Sequence, residues 1–504
     1  MSAVVHLHVP GASFRAVAPM GVLAVGGMVL LVVGASLRKR RSGALAVLTL
    51  LFLAGAALAA LFGIGHSQAA FDSRIALDGF STFFSLLLCA ISAVGVIASW
   101  GMLTEETGPA PELYALILFA TAGMMLMAAA GDLIVVFVAL ETFSLCFYVL
   151  AAFRRNRPDS QEASFKYFLT GAFSSAFLLY GIALTYGALG TTRLLGLGVL
   201  PASAFPHKGL LPAGLALVIV GLGFKVSAVP FHMWTPDAYD GAPAPISGFM
   251  AAGAKVAGYA VLLRLLISAF PVMSHEWRPA VIGLAVLTMV VGSVIAVVQT
   301  NVKRMLAYSS IAHSGFLLIG VAAGTARGVS SSLFYLAAYS FTILGAFAIV
   351  YAVGGPEERF IQIGDYRGLA RRQPWLAVAL ALLLVSLAGI PPTLGFWSKF
   401  QVFGSGVAAG LSPLVVVGVL SSAIAAFFYL RIVGLMFLDD PTGWTEGAVA
   451  PAIGGSSGVA VATQAKVAPG IAFTIAVATL SVVVVGLAPQ WLLSLADKAT
   501  LILR

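Results

Sequence analysis

Gly223-Phe224-Lys225-Val226-Ser227-Ala228-Val229-Pro230 interrupts a long apolar run with an amine and a proline. Neither belongs in a helix that merely crosses a bilayer. Ala388-Gly389-Ile390-Pro391-Pro392-Thr393, followed by Lys399, repeats the combination further along the chain. Proline removes a backbone donor and frees a carbonyl, and such broken backbone survives at membrane depth only when it is enclosed by protein or lines a wet cavity. Both breaks are therefore expected to point inward. A packing kink would explain either break alone; two in corresponding positions, each beside a lysine, point to function.

The surrounding chain supports a membrane setting. It has 504 residues, of which 60% are hydrophobic and 9% charged, a composition unlike that of a soluble domain. Apolar stretches long enough to cross a hydrocarbon layer of about 30 Å recur along nearly the whole length, roughly 14 in all. The interrupted runs are the seventh and twelfth. The formal charge of +9 does not indicate nucleic acid, because the bases form short clusters between apolar runs, as cytoplasmic loops do. Arg38 to Arg41 follow the first run, where a signal peptide would have its bases first. With Arg154, Arg155, Arg157 and Lys166, then Lys303 and Arg304, then Arg359, Arg367, Arg371 and Arg372, they all fall on one side of a 14-span topology. The positive-inside rule makes that side cytoplasmic and both termini external. The clusters themselves read as solvated loops. Cys89 and Cys146 lie within apolar runs and read as small buried side chains, not metal ligands.

The fold class expected is all-α, a polytopic membrane helix bundle of about 14 helices with helices 7 and 12 broken. The breaks lie five spans apart, and an odd offset inverts a repeated unit across the membrane. This suggests two inverted five-helix repeats. Residues 1–110 form an N-terminal three-helix segment, 111–270 the first repeat (helices 4–8) and 271–438 the second (helices 9–13). A Gly-, Ala-, Ser- and Thr-rich cytoplasmic linker, 439–469, precedes the last helix at 470–504.

The acids and bases are few enough to place one by one. Among 19 acidic residues only Glu141 sits well inside a span. Asp132 marks the outer end of that helix, and the rise per residue carries Glu141 about 13 Å deep. Among 28 basic residues Lys225, Lys255 and Lys399 are interior, whereas Arg264 and Arg431 lie nearer span ends, where long side chains can snorkel. An isolated charge at the bilayer centre costs about 2.5–3.5 kcal/mol on insertion scales, so these four require partners, water or altered protonation. Lysine changes its protonation state readily when buried and arginine does not, which favours proton exchange over fixed pairing. A static Glu141–Lys225 pair that sets helix register is the competing reading. His232 and His313 are candidate relays, with an ordinary hydrogen-bonded interior histidine as the alternative for each. Tyr308, Ser309 and Ser310 could order water near His313. There is no Gly-rich phosphate loop after a strand, no CxxC and no nucleophile elbow, so neither cofactor binding nor metal binding is expected in this chain.

The stretch from Gly223 through Phe231-His232-Met233-Trp234-Thr235-Pro236-Asp237 closely resembles the seventh-helix signature of the antiporter-like subunits of respiratory complex I, the proton-pumping NADH–quinone oxidoreductase of bacteria. Gly241-Ala242-Pro243-Ala244-Pro245-Ile246-Ser247 and Ala254-Lys255-Val256-Ala257-Gly258 are similar to its subunit N branch, with a lysine where related subunits often have histidine. Leu140-Glu141, the run from Asn301 to His313, and Leu387 to Pro392 with Gly395-Phe396-Trp397-Ser398-Lys399-Phe400 extend the likeness from the fifth to the thirteenth span. The resemblance implies a 14-helix membrane-arm subunit with Glu141 and Lys225 as a coupled pair, Lys255 as a central relay and Lys399 toward the outer exit. It also implies that FMN, iron–sulfur clusters and quinone belong to other subunits, and that the partners are membrane-arm subunits, lipid, protons and internal water.

The function implied is outward proton translocation driven by NADH-to-quinone electron transfer elsewhere, in the bacterial cytoplasmic (inner) membrane. Three rivals fit parts of the pattern: a subunit of a cation/proton antiporter or membrane-bound hydrogenase, a stand-alone secondary transporter, and a structural spacer.

Overall fold

The computed structural model describes residues 11–36, 42–100, 102, 110–205, 209–439 and 467–499. Helices α1 (Gly11–Ser36) and α2 (Ser42–Leu61) lead through a short antiparallel hairpin, β1 (Gln68–Ala70) and β2 (Ile75–Leu77), into α3 (Gly79–Trp100). Then come α4 (Pro111–Ala128), α5 (Leu133–Ala151) and α6 (Pro158–Leu189). The seventh crossing is split into α7 (Leu210–Lys225) and α8 (Trp234–Gly241), and α9 (Ala244–Leu263) follows it. Next are α10 (Ser274–Val297), α11 (Val302–Ala323), α12 (Ala326–Gly354) and the single turn α13 (Leu369–Arg372). The second split crossing consists of α14 (Pro374–Ala388) and α15 (Leu394–Ala408), before α16 (Ser412–Leu438), α17 (Pro469–Leu487) and the short α18 (Gln490–Lys498). Twelve helices among the described residues are long and apolar enough to cross a membrane; α7 and α14 are the shorter apolar halves of the two broken crossings. The expected bundle and both breaks are present. The cluster Arg38–Arg41 and nearly all of the expected linker lie outside the described residues.

Prolines start α4, α6, α14 and α17, where the missing N–H has no intrahelical partner to lose. Asp132 caps α5 by accepting from the Ile134 amide at 2.7 Å, and Asn301 caps α11 by accepting from the Lys303 and Arg304 amides. Each cap sits in an antiparallel bridge to the segment after the next helix but one: Asp132 with Arg193, and Asn301 with Gln362. One connection pattern thus occurs in both five-helix stretches.

Every residue of α9 is buried, and α11 and α12 are almost wholly enclosed, whereas α1, α2, α6 and α16 present broad apolar faces outward. Close helix contact rests on glycine at α6/α7, where a Cβ on Gly181 would lie 2.7 Å from the Val218 amide nitrogen, and at α10/α11, where one on Gly292 would lie 2.6 Å from that of Ala312.

Two ion pairs depart from expectation. Arg264 does not snorkel: it is fully buried, its guanidinium forks onto Asp78 at 2.8 and 3.1 Å, and its Nε donates to the Ala128 carbonyl at 3.2 Å. The reason is tertiary, because the first residue past α9 meets the loop that opens α3. Lys303, expected in a solvated loop, is equally buried, donating to the Asp240 and Ala242 carbonyls and to Glu358 at 2.7 Å. Glu358 also takes Arg154 at 3.1 Å and the Ala244 amide at 2.7 Å. Burial pushes its carboxyl up, but Lys303 and Arg154 outweigh that and hold it below its ordinary value.

Candidate functional site

The first break ends α7 at Lys225. Ser227 takes a left-handed conformation (φ 62°), and Val229–Pro230 is cis. The opened backbone is satisfied locally: the Val229 amide donates to Thr288 Oγ1 at 2.9 Å, Trp234 Nε1 donates to the Phe224 carbonyl at 2.9 Å, and Ser314 Oγ donates to the Val226 carbonyl at 2.5 Å. The second break turns at Gly389 (φ 84°) and contains the cis bond Pro391–Pro392. Its freed Ala388 carbonyl accepts from Lys399 Nζ at 2.8 Å. The two lysines are therefore placed differently. Lys225 closes the half-helix before its break, whereas Lys399 lies beyond its break and reaches back to it.

Lys225 is buried among rings, with Nζ 4.9 Å from the Phe143 centroid and 3.3 Å from the Tyr167 hydroxyl. Tyr167 in turn stacks on Trp234 at 4.3 Å. Glu141 is half-buried on α5 and accepts a hydrogen bond from Ser175 of α6. Among the described residues Glu141 and Lys225 form no direct ion pair; Ser175 and Lys225 line one narrow cleft between α5, α6 and α7. A static salt bridge is thus not what holds this carboxylate and amine at mid-depth.

Lys255, on the enclosed α9, donates to Ser310 Oγ of α11 at 2.5 Å. The Tyr339 ring lies 5.8 Å from its Nζ and 5.2 Å from the His313 ring. His313 contacts the Tyr335 hydroxyl at 2.6 Å through Nδ1 and the Tyr429 hydroxyl at 3.2 Å through Nε2, and Tyr429 also bonds Ser309. Next to His313 is a cavity of about 10 Å³, bordered by Tyr335, Tyr339, Ser386 and Ser398, about the space one water centre needs. Lys399 follows on the far side, donating to Ser422 Oγ at 2.8 Å with Nζ 5.0 Å from the Phe316 ring.

The six candidates thus fall into three groups. Lys255, His313 and Lys399 share one polar file; Glu141 and Lys225 form a second cluster behind an aromatic wall. His232 stands apart in the first break, half-exposed, its buried Nδ1 without a hydrogen-bond partner among the described residues. Ser309 and Ser310 join the file, while Tyr308 turns to a half-exposed face. Sequence reasoning did not pick out Tyr335, Tyr339, Tyr429 or Ser175, since aromatic and hydroxyl residues in apolar helices carry no local mark of which face they occupy. The spacing of Ser331, Tyr335 and Tyr339, one turn apart, was the available signal.

Neither Lys255 nor Lys399 has a carboxylate partner among the described residues; each bonds only hydroxyl or carbonyl oxygens. The dipoles of these hydroxyls and this carbonyl, not a fixed ion pair, surround each amine. Serine and tyrosine hydroxyls both donate and accept, and a neutral imidazole does the same through its two nitrogens, so each group can relay a proton; passage past Tyr339, whose hydroxyl has no hydrogen-bond partner among the described residues, requires water.

Comparison with known proteins agrees with this geometry. Residues 130–425 match the family described as NADH:quinone oxidoreductase/Mrp antiporter, TM. NADH-quinone oxidoreductase subunit N of Trichlorobacter lovleyi is 45% identical over 426 residues, 84% of this chain and 88% of that protein. Subunit N 1 of Solibacter usitatus is 39% identical over 95% of this chain and 96% of its own. Among solved structures, a chain of respiratory complex I from Thermus thermophilus with bound aureothin superposes with a TM-score of 0.78 at 34% identity, covering 95% of this chain and 99% of that one. By fold, by motif and by relatedness along almost its whole length, the chain belongs to the NADH:quinone oxidoreductase/Mrp antiporter membrane-subunit family, in its subunit N branch.

Proposed function

We propose that the chain carries protons outward across the bacterial cytoplasmic membrane as a membrane-arm subunit of NADH–quinone oxidoreductase. In this reading Glu141 and Lys225 form a coupled pair, Lys255 is the central relay and Lys399 passes protons toward the outer side. His313 links the last two. Electron transfer occurs in other subunits, which hold the FMN, iron–sulfur clusters and quinone, and this chain contributes to the enzyme without redox chemistry of its own. Both termini face outward, and residues 111–270 and 271–438 act as two inverted units. The recurring capped bridges, Asp132 with Arg193 and Asn301 with Gln362, support that division.

The observation carrying the reading is the pair of buried amines, Lys255 and Lys399, without acidic partners among the described residues, on either side of His313 with its tyrosine hydroxyls and water-sized cavity. Moving one charge against 100 mV costs about 2.3 kcal/mol, and one pKa unit corresponds to about 1.4 kcal/mol. Modest changes in hydration at each amine are therefore enough to drive one proton. The test is Lys255→Ala in the complex purified with its flavin and iron–sulfur subunits and returned to vesicles. Pumping driven by NADH is expected to fall to below about a tenth of the unsubstituted rate; an unchanged rate in a fully assembled complex removes Lys255 from the path.

A further inference from the structure

The file has a branch that the four ionisable residues do not use. Tyr339, Tyr335 and Ser331 occupy one face of α12 at four-residue spacing, and all three are buried. The stripe begins at the ring beside Lys255, passes the hydroxyl bonded to His313, and climbs to the end of α12 opposite the Lys303–Glu358 pair. There Ser331 Oγ lies 3.3 Å from Ser405 Oγ of α15, in a region where both side chains are enclosed. The neighbouring Ser330 donates to the carboxylate of Asp497 on α18. Asp497 is exposed on α18, the last helix among the described residues.

We propose that Asp497 is the outer release site of an exit branch that leaves the file at His313 and follows this face of α12; the proposal rests on the proton-translocating reading above. One turn of helix rises about 5.4 Å, more than a hydrogen bond spans, so the branch requires single waters between successive hydroxyls. At each step the oxygen accepts a proton from one side as its own O–H bond breaks toward the other, which leaves the hydroxyl unchanged. The proton reaches the Asp497 carboxylate and is then given up to outer water. A carboxylate suits the end of the branch because hydroxyls conduct protons without holding them, whereas Asp497 can hold one and exchange it with bulk solvent. Lys399 instead turns toward α14 and α16, through Ala388 and Ser422, so its contacts do not lead to this surface.

The test uses the assembled complex in inverted vesicles, whose lumen corresponds to the outer face. Asp497→Asn preserves shape and an acceptor for Ser330 but cannot take up the proton. With little buffer in the lumen, NADH-driven proton accumulation is expected to fall several-fold. Imidazole or a similar mobile buffer enclosed in the lumen, or Asp497→Glu in place of Asp497→Asn, should restore it. Ser331→Ala should slow accumulation in a way that buffer does not relieve, because that step is internal. Full accumulation by Asp497→Asn at low buffer overturns the proposal, as does a loss that neither buffer nor glutamate restores, which marks a docking role for α18. Lys255→Ala, assayed in parallel, separates the two levels. If it abolishes pumping while Asp497→Asn does not, the exit branch is wrong and the translocating reading stands; if it pumps normally, Lys255 leaves the path and the branch loses the source that feeds it.

Discussion

Lys255 shows why residue type matters more than charge. It is enclosed on a helix with no exposed residue, and among the described residues its only hydrogen-bond partner is a serine hydroxyl. A fixed positive charge there could be supplied by arginine, which stays protonated under ordinary conditions. A proton-exchanging group could not. Lys255→Arg is therefore expected to lose NADH-driven pumping about as completely as Lys255→Ala, despite keeping the charge. The comparison is read from proton uptake at matched amounts of assembled complex, and pumping retained by arginine would assign the position an electrostatic role alone. Legibility at this scale was uneven. Lys225, Lys255 and Lys399 could be found by elimination because an amine inside a long apolar run is anomalous by itself. Their acceptors could not, because nothing local says that Ser310 rather than Ser314 faces Lys255, or that Ser175, 34 positions from Glu141, bonds it.

At the scale of elements, crossings and breaks were readable because apolar length, proline and left-handed glycine are properties of short segments. Pairings between elements were not. Asp78 and Arg264 are 186 positions apart, and each looked like an ordinary residue at a span end. In the structure they tie the start of α3 to the end of α9 and, through the Ala128 carbonyl, to the end of α4. Glu358 does the same at the opposite end, gathering Lys303 of α11, Arg154 of the α5–α6 loop and the first amide of α9. Breaking one member of a fully buried pair leaves a charge uncompensated, at a cost of about 3–5 kcal/mol, whereas replacing both with apolar residues is often close to neutral. Arg264→Met is thus expected to lower the thermal stability of the purified complex sharply, and Asp78→Leu with Arg264→Met should recover most of the loss. Equal losses for the single and double variants would mean that the pair itself, not the uncompensated charge, contributes the stability.

Over the whole molecule, ionisable groups are sorted by depth and face. Ion pairs gather at the two ends, while Lys255 and Lys399 in the mid-section have no acid partner among the described residues. Glu141 is the exception in facing partly outward, among the exposed Ile134, Val138, Leu145 and Val149 of α5. A carboxylate at that depth is costly against acyl chains, whereas the exposed faces of α1 and α2 are apolar. The central claim concerns the interior: a hydrated file joins the buried amines. In the structure Ser310 accepts from Lys255, Tyr335 and Tyr429 flank His313, a water-sized cavity borders His313 and Ser398, the residue before Lys399, and an aromatic wall stands around Lys225. The most direct measurement is a density map of the assembled complex, trapped during turnover, at a resolution that shows internal water. The account predicts ordered water from Ser310 past His313 to Lys399, and in at least one state water beside Lys225 reaching toward Lys255. Dry side-chain packing between these amines in every state would contradict it.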